Sequence, residues 1–198
     1  MFSYADCIAR EHRKLALVVV DIEPFRLSAA DRMAAHRSAC LIGVAGALRI
    51  DSSLFRFAVA EALLRRTHGK EAPSVADRAP LAHRIMTADA PIPADWGSSG
   101  ATVESWPRYR DGQRRYAVVS AIGDCVVRAN PGNSWMVLRT KINSEEEVAA
   151  MRAIQPTIGN CLMAGKQMLL TKNDIRGTLA LNFYRLAKAP RAAAGATN

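Results

Sequence analysis

The sequence predicts an all-α fold: two related units of three or four helices each, joined by a Pro-rich segment. Three observations carry that expectation. The first is an internal repeat. Ile122-Gly123-Asp124-Cys125-Val126-Val127-Arg128 and Tyr4-Ala5-Asp6-Cys7-Ile8-Ala9-Arg10 place Asp, Cys and Arg at identical offsets. Cys40-Leu41 then matches Cys161-Leu162, and Phe55-Arg56, Val59-Ala60 and Arg65 match Ile175-Arg176, Leu179-Ala180 and Arg185, in the same order. A duplicated unit of this kind buries its apolar face on its copy. The second is a pair of helical stripes, Phe55, Val59, Ala62, Leu63 and Ile175, Leu179, Asn182, Phe183, Leu186, that correspond position for position. The third is the set of helix-start signals, clearest in Ser144-Glu145-Glu146-Glu147, where a serine cap precedes carboxylates that suit the positive end of a helix.

Taken in order, the first unit (residues 1–66) begins with a helix over about Ser3 to Arg10. The Leu15 to Val20 run fits a helix or a buried strand, and Pro24 ends it. Ser28 with Asp31 starts a further helix to about Ile42, and Asp51 or Ser52 caps the one that ends at Arg66. Residues 67–111 carry Pro73, Pro80, Pro91, Pro93 and Pro107 and read as a linker or a long loop, with room for one short helix at Pro80 to Thr87. Trp96 and Trp106 argue that this segment packs on something. The second unit (residues 112–187) predicts a helix from Gly112 to Arg128, stopped by Asn130-Pro131-Gly132, and a capped helix after Ser144 with a kink at Pro156. Thr171 or Asn173 starts the last helix, with Asn182 at the margin of its stripe. The alanine-rich end, residues 188–198, reads as a disordered tail.

A chain of 198 residues with a net charge of +9 is large enough for a full core, since a domain of this size buries roughly 70% of its unfolded surface. Twenty-one of the 27 basic residues are arginine, whose planar fork suits phosphate and carboxylate, so the expected partner is a protein or an anionic ligand. Arginine and alanine usage of this sort also follows from base composition alone. Apolar runs such as Leu15 to Val20 are far shorter than the roughly 20 residues that span a bilayer. Asp6, Arg10 and Glu11 interrupt any signal-peptide core, which gives a cytoplasmic expectation. If the chain begins at a mature N-terminus, the expectation becomes periplasmic or secreted.

The four cysteines fall as Cys7 with Cys40 and Cys125 with Cys161, at equivalent places in the two copies. None has close Cys-x-x-Cys spacing and no histidine completes a set, so neither a metal nor any other cofactor is expected. Two readings stay open. One disulfide inside each unit would add roughly 3 to 4 kcal/mol in the loop-entropy model; alternatively, these are small buried thiols at helix contacts, as reduced cytosolic cysteines are.

No catalytic constellation is visible. His12, His36, His68 and His83 are scattered without metal-ligand spacing, and Trp96 to Gly100 has the wrong order for a nucleophile elbow. Gly159 to Gln167 resembles a phosphate loop but misplaces its first glycine and ends in Gln167, which has no hydroxyl for magnesium. Adjacent Glu145 to Glu147 do not converge on one point, so capping explains them. The stretch with a binding composition is Trp106, Arg108, Tyr109, Arg110, Arg114, Arg115 and Tyr116. Arginines on phosphates and rings under bases are how single strands are held. The bland alternative is a basic helix entry with solvated arginines. A smaller cluster, Arg65-Arg66-Thr67-His68-Gly69-Lys70, sits where a helix end favours positive charge anyway.

The functional expectation is therefore a non-catalytic helical binding or scaffolding protein with a basic surface. Its alternatives are a nucleic-acid-binding protein using residues 106–116 and a disulfide-stapled envelope protein.

Overall fold

The computed structural model describes residues 2–21, 40, 52–83, 85–94, 96–99, 102–162 and 168–192. Among them there are seven α-helices and no β-strand: α1 (Phe2–Glu11), α2 (Arg13–Asp21), α3 (Ser52–His68), α4 (Trp106–Ala129), α5 (Pro131–Arg139), α6 (Glu145–Cys161) and α7 (Lys172–Lys188). The Leu15 to Val20 run is helical, and its buried residues Ala16, Val19 and Val20 follow helical spacing. The helix expected after Ser28, and Asp51 with it, lie outside the described residues apart from Cys40.

The helix ends follow local chemistry. Gly69, at φ 57°, closes α3 by donating to Arg65 O at 3.0 Å, the left-handed cap that glycine alone adopts freely. The Asn130 side chain accepts from Asn133 N–H and starts α5 directly where α4 stops. Thr171 and Asp174 form a reciprocal capping box on α7. Two boundaries differ from expectation. α4 begins at Trp106 rather than near Gly112, because Pro107 falls in the first turn, where its missing N–H costs nothing. Pro80 to Thr87 forms no helix where described, and within it Ala82 O is held by Arg185 of α7.

α3 and α7 pack together at the centre; α1 and α2 lie on α3, α4 and α5 lie on α7, and α6 covers α4 and α5. One continuous apolar cluster runs through all of them. The Val59, Leu63, Leu179 and Phe183 positions are buried. The stripes are not one-sided, however: every residue from Phe55 to Leu64 and from Arg176 to Tyr184 is buried. Each central helix is enclosed on all faces, so Arg56, Glu61, Arg176, Thr178 and Asn182 lie inside the protein and must find partners there. The approach of α3 to α7 is close. A Cβ on Gly177 would stand 2.2 Å from Cδ2 of Phe57, and one on Gly123 would stand 2.3 Å from the Thr178 hydroxyl, where α4 meets α7.

The segment between α3 and α4 is strapped to the helices by side chains that donate to its carbonyls. Arg139 holds Gly69 O, Trp135 holds Lys70 O, and Arg128 holds both Arg78 O and Ala79 O. Arg185 reaches Ala82 O and Trp106 reaches Ala90 O. Val75 is buried under it. The start of the expected disordered tail is bonded to this strap. Ala79 N–H donates to Pro190 O and Ala192 N–H to Asp77 O, so residues 189–192 are ordered by backbone pairing; residues 193–198 lie outside the described residues.

Cys7 of α1 is bonded to Cys40, with an S–S distance of 2.14 Å, and Cys125 of α4 to Cys161 at the end of α6, with one of 2.04 Å. There is no free cysteine among the described residues. Among the described residues, no helix is long and apolar enough to cross a membrane.

Candidate functional site

Burying both central helices places a charged cluster at their contact. Arg176 on α7 donates from Nε to Glu61 Oε2 at 2.9 Å and from Nη2 to Glu61 Oε1 at 2.7 Å, a two-point fork across to α3. Its Nη1 reaches Glu147 Oε1 at 2.7 Å, and its remaining capacity goes to Val137 O, Leu138 O and Thr140 O at the end of α5. Arg65 adds a second cation to Glu61, and Lys172 adds one to Glu147. Burial acts to raise the Glu147 carboxyl, but hydrogen bonds from Lys172, Asn143 N–H and Arg176 outweigh it and hold the group below its ordinary range. Glu147 thus does more than favour the start of a helix: its carboxylate is fully buried as a partner of Arg176. This cluster is saturated with its own bonds, so its role is to fix α3, α5, α6 and α7 against one another.

Asn182 needs a similar correction. It is not marginal but wholly buried, and its amide donates to Ser120 O and Thr178 O, both at 2.9 Å, tying α7 to α4. Arg56 donates from Nε and Nη2 to Val20 O, at 3.0 and 2.6 Å, and thereby closes the C-terminal end of α2.

A different arrangement holds where the strap crosses α4. Asp124 accepts from Arg128 Nε at 2.9 Å and from His83 Nε2 at 3.1 Å. Burial acts to raise the Asp124 carboxyl, yet the bonds from His83 and Arg128 leave it lowered. With the carboxylate ionised, Nε2 carries the donating proton and Nδ1 points away from the pair. Beside it opens a cleft of about 710 Å³, walled by Val20 and Asp21 of α2, Arg56 of α3, Tyr116, Ala117 and Ser120 of α4, Ile85 and Met86 of the strap, and Arg185 of α7. The Tyr116 ring stacks with Phe57 at 6.0 Å and lies under the Arg56 guanidinium at 5.5 Å. Two side-chain atoms of the wall, Tyr116 Oη and His83 Nδ1, are buried without a hydrogen-bond partner among the described residues. Burial pushes the Tyr116 phenol up, with Arg56 and Arg185 opposing, so it stays a donor at neutral pH.

The Arg/aromatic stretch is placed differently from a strand-binding surface. Trp106 is buried, Trp96 meets it edge-on at 4.9 Å, and Tyr109 stacks on it at 5.4 Å. The rings pack on one another and on the strap and present no ladder of faces to bases. Helical geometry sets Arg108 and Arg115 roughly 100° to 160° around α4 from Arg110 and Arg114. Arg115 is engaged with Asp174 at 2.8 Å and Arg110 lies 3.8 Å from Asp111, while Arg108 and Arg114 are exposed. The cleft draws Gln113 and Tyr116 from residues 106–116, adds Ala117 and Ser120 farther along α4, and takes its other members from α2, α3, the strap and α7. One signal for the buried cluster was present in the sequence: Arg56 and Arg176 recur at the same place in otherwise apolar stripes. Tyr116 belongs to the basic stretch and Arg185 to the repeat, but neither pattern points to His83 or to the other, and the three meet only in space.

No family model, curated protein or solved structure matches this chain. The functional reading therefore rests on the geometry.

Proposed function

We propose that this chain is a non-catalytic binding protein for a small molecule, built on a helical core stapled by disulfides in an oxidising compartment. The observation that carries the reading is the cleft of about 710 Å³ where α2, α3, α4 and α7 meet the strap, which lies within the roughly 300–1,000 Å³ of small-molecule sites. The saturated state of the Arg176 cluster supports it, because acids and bases that spend every bond on each other are poorly placed to move protons for a substrate. The two cysteine pairs support the compartment. We also read the chain as a duplicated unit: Arg56 grips the carbonyl at the end of α2 as Arg176 grips those at the end of α5, and each copy has its own cysteine pair. The reading as a nucleic-acid-binding protein has less support, since of the basic stretch Arg115 is paired with Asp174 and Arg110 is half-buried near Asp111, which leaves Arg108 and Arg114 exposed without an ion pair among the described residues.

The test is to incubate the oxidised protein with a metabolite extract of its source and compare, by mass spectrometry, what is retained and what is consumed. A binding protein retains a compound unchanged, near one per chain. Depletion of a compound with appearance of a product would overturn the reading in favour of an enzyme, and retention of nothing would overturn it outright.

A further inference from the structure

The cleft also has a chemistry, and the following step rests on the binding-protein reading. The charged groups on its wall are Arg56, Arg185, Asp21 and His83. Asp21 is neutralised by Lys188 Nζ at 2.9 Å, and His83 is directed through Nε2 to Asp124. Arg56 is engaged with Val20 O and the Tyr116 ring, so Arg185 supplies the positive charge of the wall, which favours an anion there. Arg185 makes one hydrogen bond of 3.2 Å to Ala82 O and is half-buried on the cleft wall, and that bond uses one of the five donors of its fork. Tyr116 Oη adds a buried donor with no partner among the described residues. A buried hydroxyl without a partner costs stability, so its presence has to be explained by something other than folding; Phe would fill the same space against Phe57. Beside the polar Gln113 and Ser120, the wall carries an apolar strip of Val20, Ile85, Met86 and Ala117, with Ile85 57% exposed although it is a large aliphatic residue. A carboxylate has two oxygens, one for the Arg185 guanidinium and one for the Tyr116 hydroxyl.

We propose that the cleft binds an amphipathic carboxylate, with the head group between Arg185 and the Tyr116 hydroxyl and an aliphatic body along Ile85, Met86, Val20 and Ala117. Arg185 supplies the charge and Tyr116 the buried donor. Both residues are binding contacts on this account; in the fold Arg185 holds only Ala82 O, and the Tyr116 hydroxyl has no partner among the described residues.

The experiment is calorimetric titration of the oxidised full chain with decanoate, decanol and decylamine, below their aggregation concentrations. Decanoate is expected to bind saturably at one per chain, at least about tenfold more tightly than decylamine or decanol, a ratio that corresponds to about 1.4 kcal/mol at 25 °C. Arg185→Gln keeps a donor for Ala82 O but loses the charge, and is expected to weaken decanoate about tenfold. Tyr116→Phe is expected to weaken it several-fold with a melting temperature unchanged or raised; this variant carries the test alone if Arg185→Gln does not fold. Arg114→Ala, on the far side of α4, should change nothing. No saturable decanoate binding, equal binding of the three decyl probes, or decanoate affinity unchanged in both cleft variants would overturn the proposal. If the metabolite retention described above still occurs in that case, the binding-protein reading stands and only the ligand class falls.

Discussion

Arg176 grips Glu61 by two parallel hydrogen bonds, 2.9 and 2.7 Å, with the arginine and the carboxylate side chains each only 3% exposed. The pair joins the two central helices at their point of contact. Removing either member leaves a buried charge only partly compensated, Glu61 by Arg65 or Arg176 by Glu147, against the roughly 3–5 kcal/mol that a fully unpaired buried charge costs. Glu61→Ala and Arg176→Ala should each lose up to about that much in urea unfolding. Arg176→Lys should restore little, because a single ammonium cannot fork Glu61 and also reach Glu147 and the carbonyls of α5. Variants that unfold at the wild-type midpoint would contradict this account of the core.

The same carboxylates give the stability a direction in pH. Asp124 and Glu147 are both held below their ordinary pKa in the folded protein, while in the unfolded chain they return to about 3.9 and 4.3. Above those values both states are ionised and the full stabilisation is present. As pH falls below about 5, the unfolded chain takes up protons first, and stability declines through the folded pKa values. Urea midpoints at pH 7, 5, 4 and 3 should fall progressively over the last two steps, and Asp124→Asn should flatten part of that decline.

At the α3–α7 contact, Gly177 faces Phe57. Alanine favours a helix over glycine by about 1 kcal/mol, yet a Cβ here would lie 2.4 Å from Phe57 Cγ and 2.7 Å from its Cβ. Gly177→Ala should therefore destabilise by about 1–3 kcal/mol. Combining it with Phe57→Ala should cost less than the sum of the two single changes, as measured in a double-mutant cycle. Strict additivity would show that the two residues do not meet.

The strap depends on few anchors. Arg128 alone holds Arg78 O and Ala79 O at 2.9 and 2.8 Å, and it also holds Asp124. Arg128→Ala should leave the helical circular dichroism intact but make the strap susceptible to limited proteolysis near residues 78–83. Cleavage confined to other segments, at the wild-type rate, would show that the strap is held some other way.

How far the fold could be read from the sequence depended on whether the signal was local. Ser144, Thr171 and Asn130 sit at helix starts, where capping chemistry is written within four residues. The all-α class followed from such signals and from apolar spacing. The enclosure of α3 and α7 on every face did not, because Asn182 reads as marginal to its stripe and nothing local marks Arg56, Glu61 and Arg176 as buried until their partners from other helices are seen. Tertiary packing overrode composition at Trp106 and Tyr109 as well: rings spaced like a binding ladder pack on Trp96 instead. The cleft was illegible for the same reason. Tyr116, His83 and Arg185 are each unremarkable in their own helix or loop, and their meeting depends on the path of the strap.

The account rests most directly on the two staples. Loops of 33 and 36 residues correspond to about 3.5–4 kcal/mol each in the loop-entropy model, and four cysteines allow three pairings. The decisive measurement is a disulfide map of protein from its native source, alkylated before lysis, digested without reduction and analysed by mass spectrometry. The expected result is two linked peptides, Cys7 with Cys40 and Cys125 with Cys161, and no alkylated thiol. Four alkylated cysteines, or a link joining Cys7 or Cys40 to Cys125 or Cys161, would contradict the stapled two-unit architecture and the oxidising compartment with it.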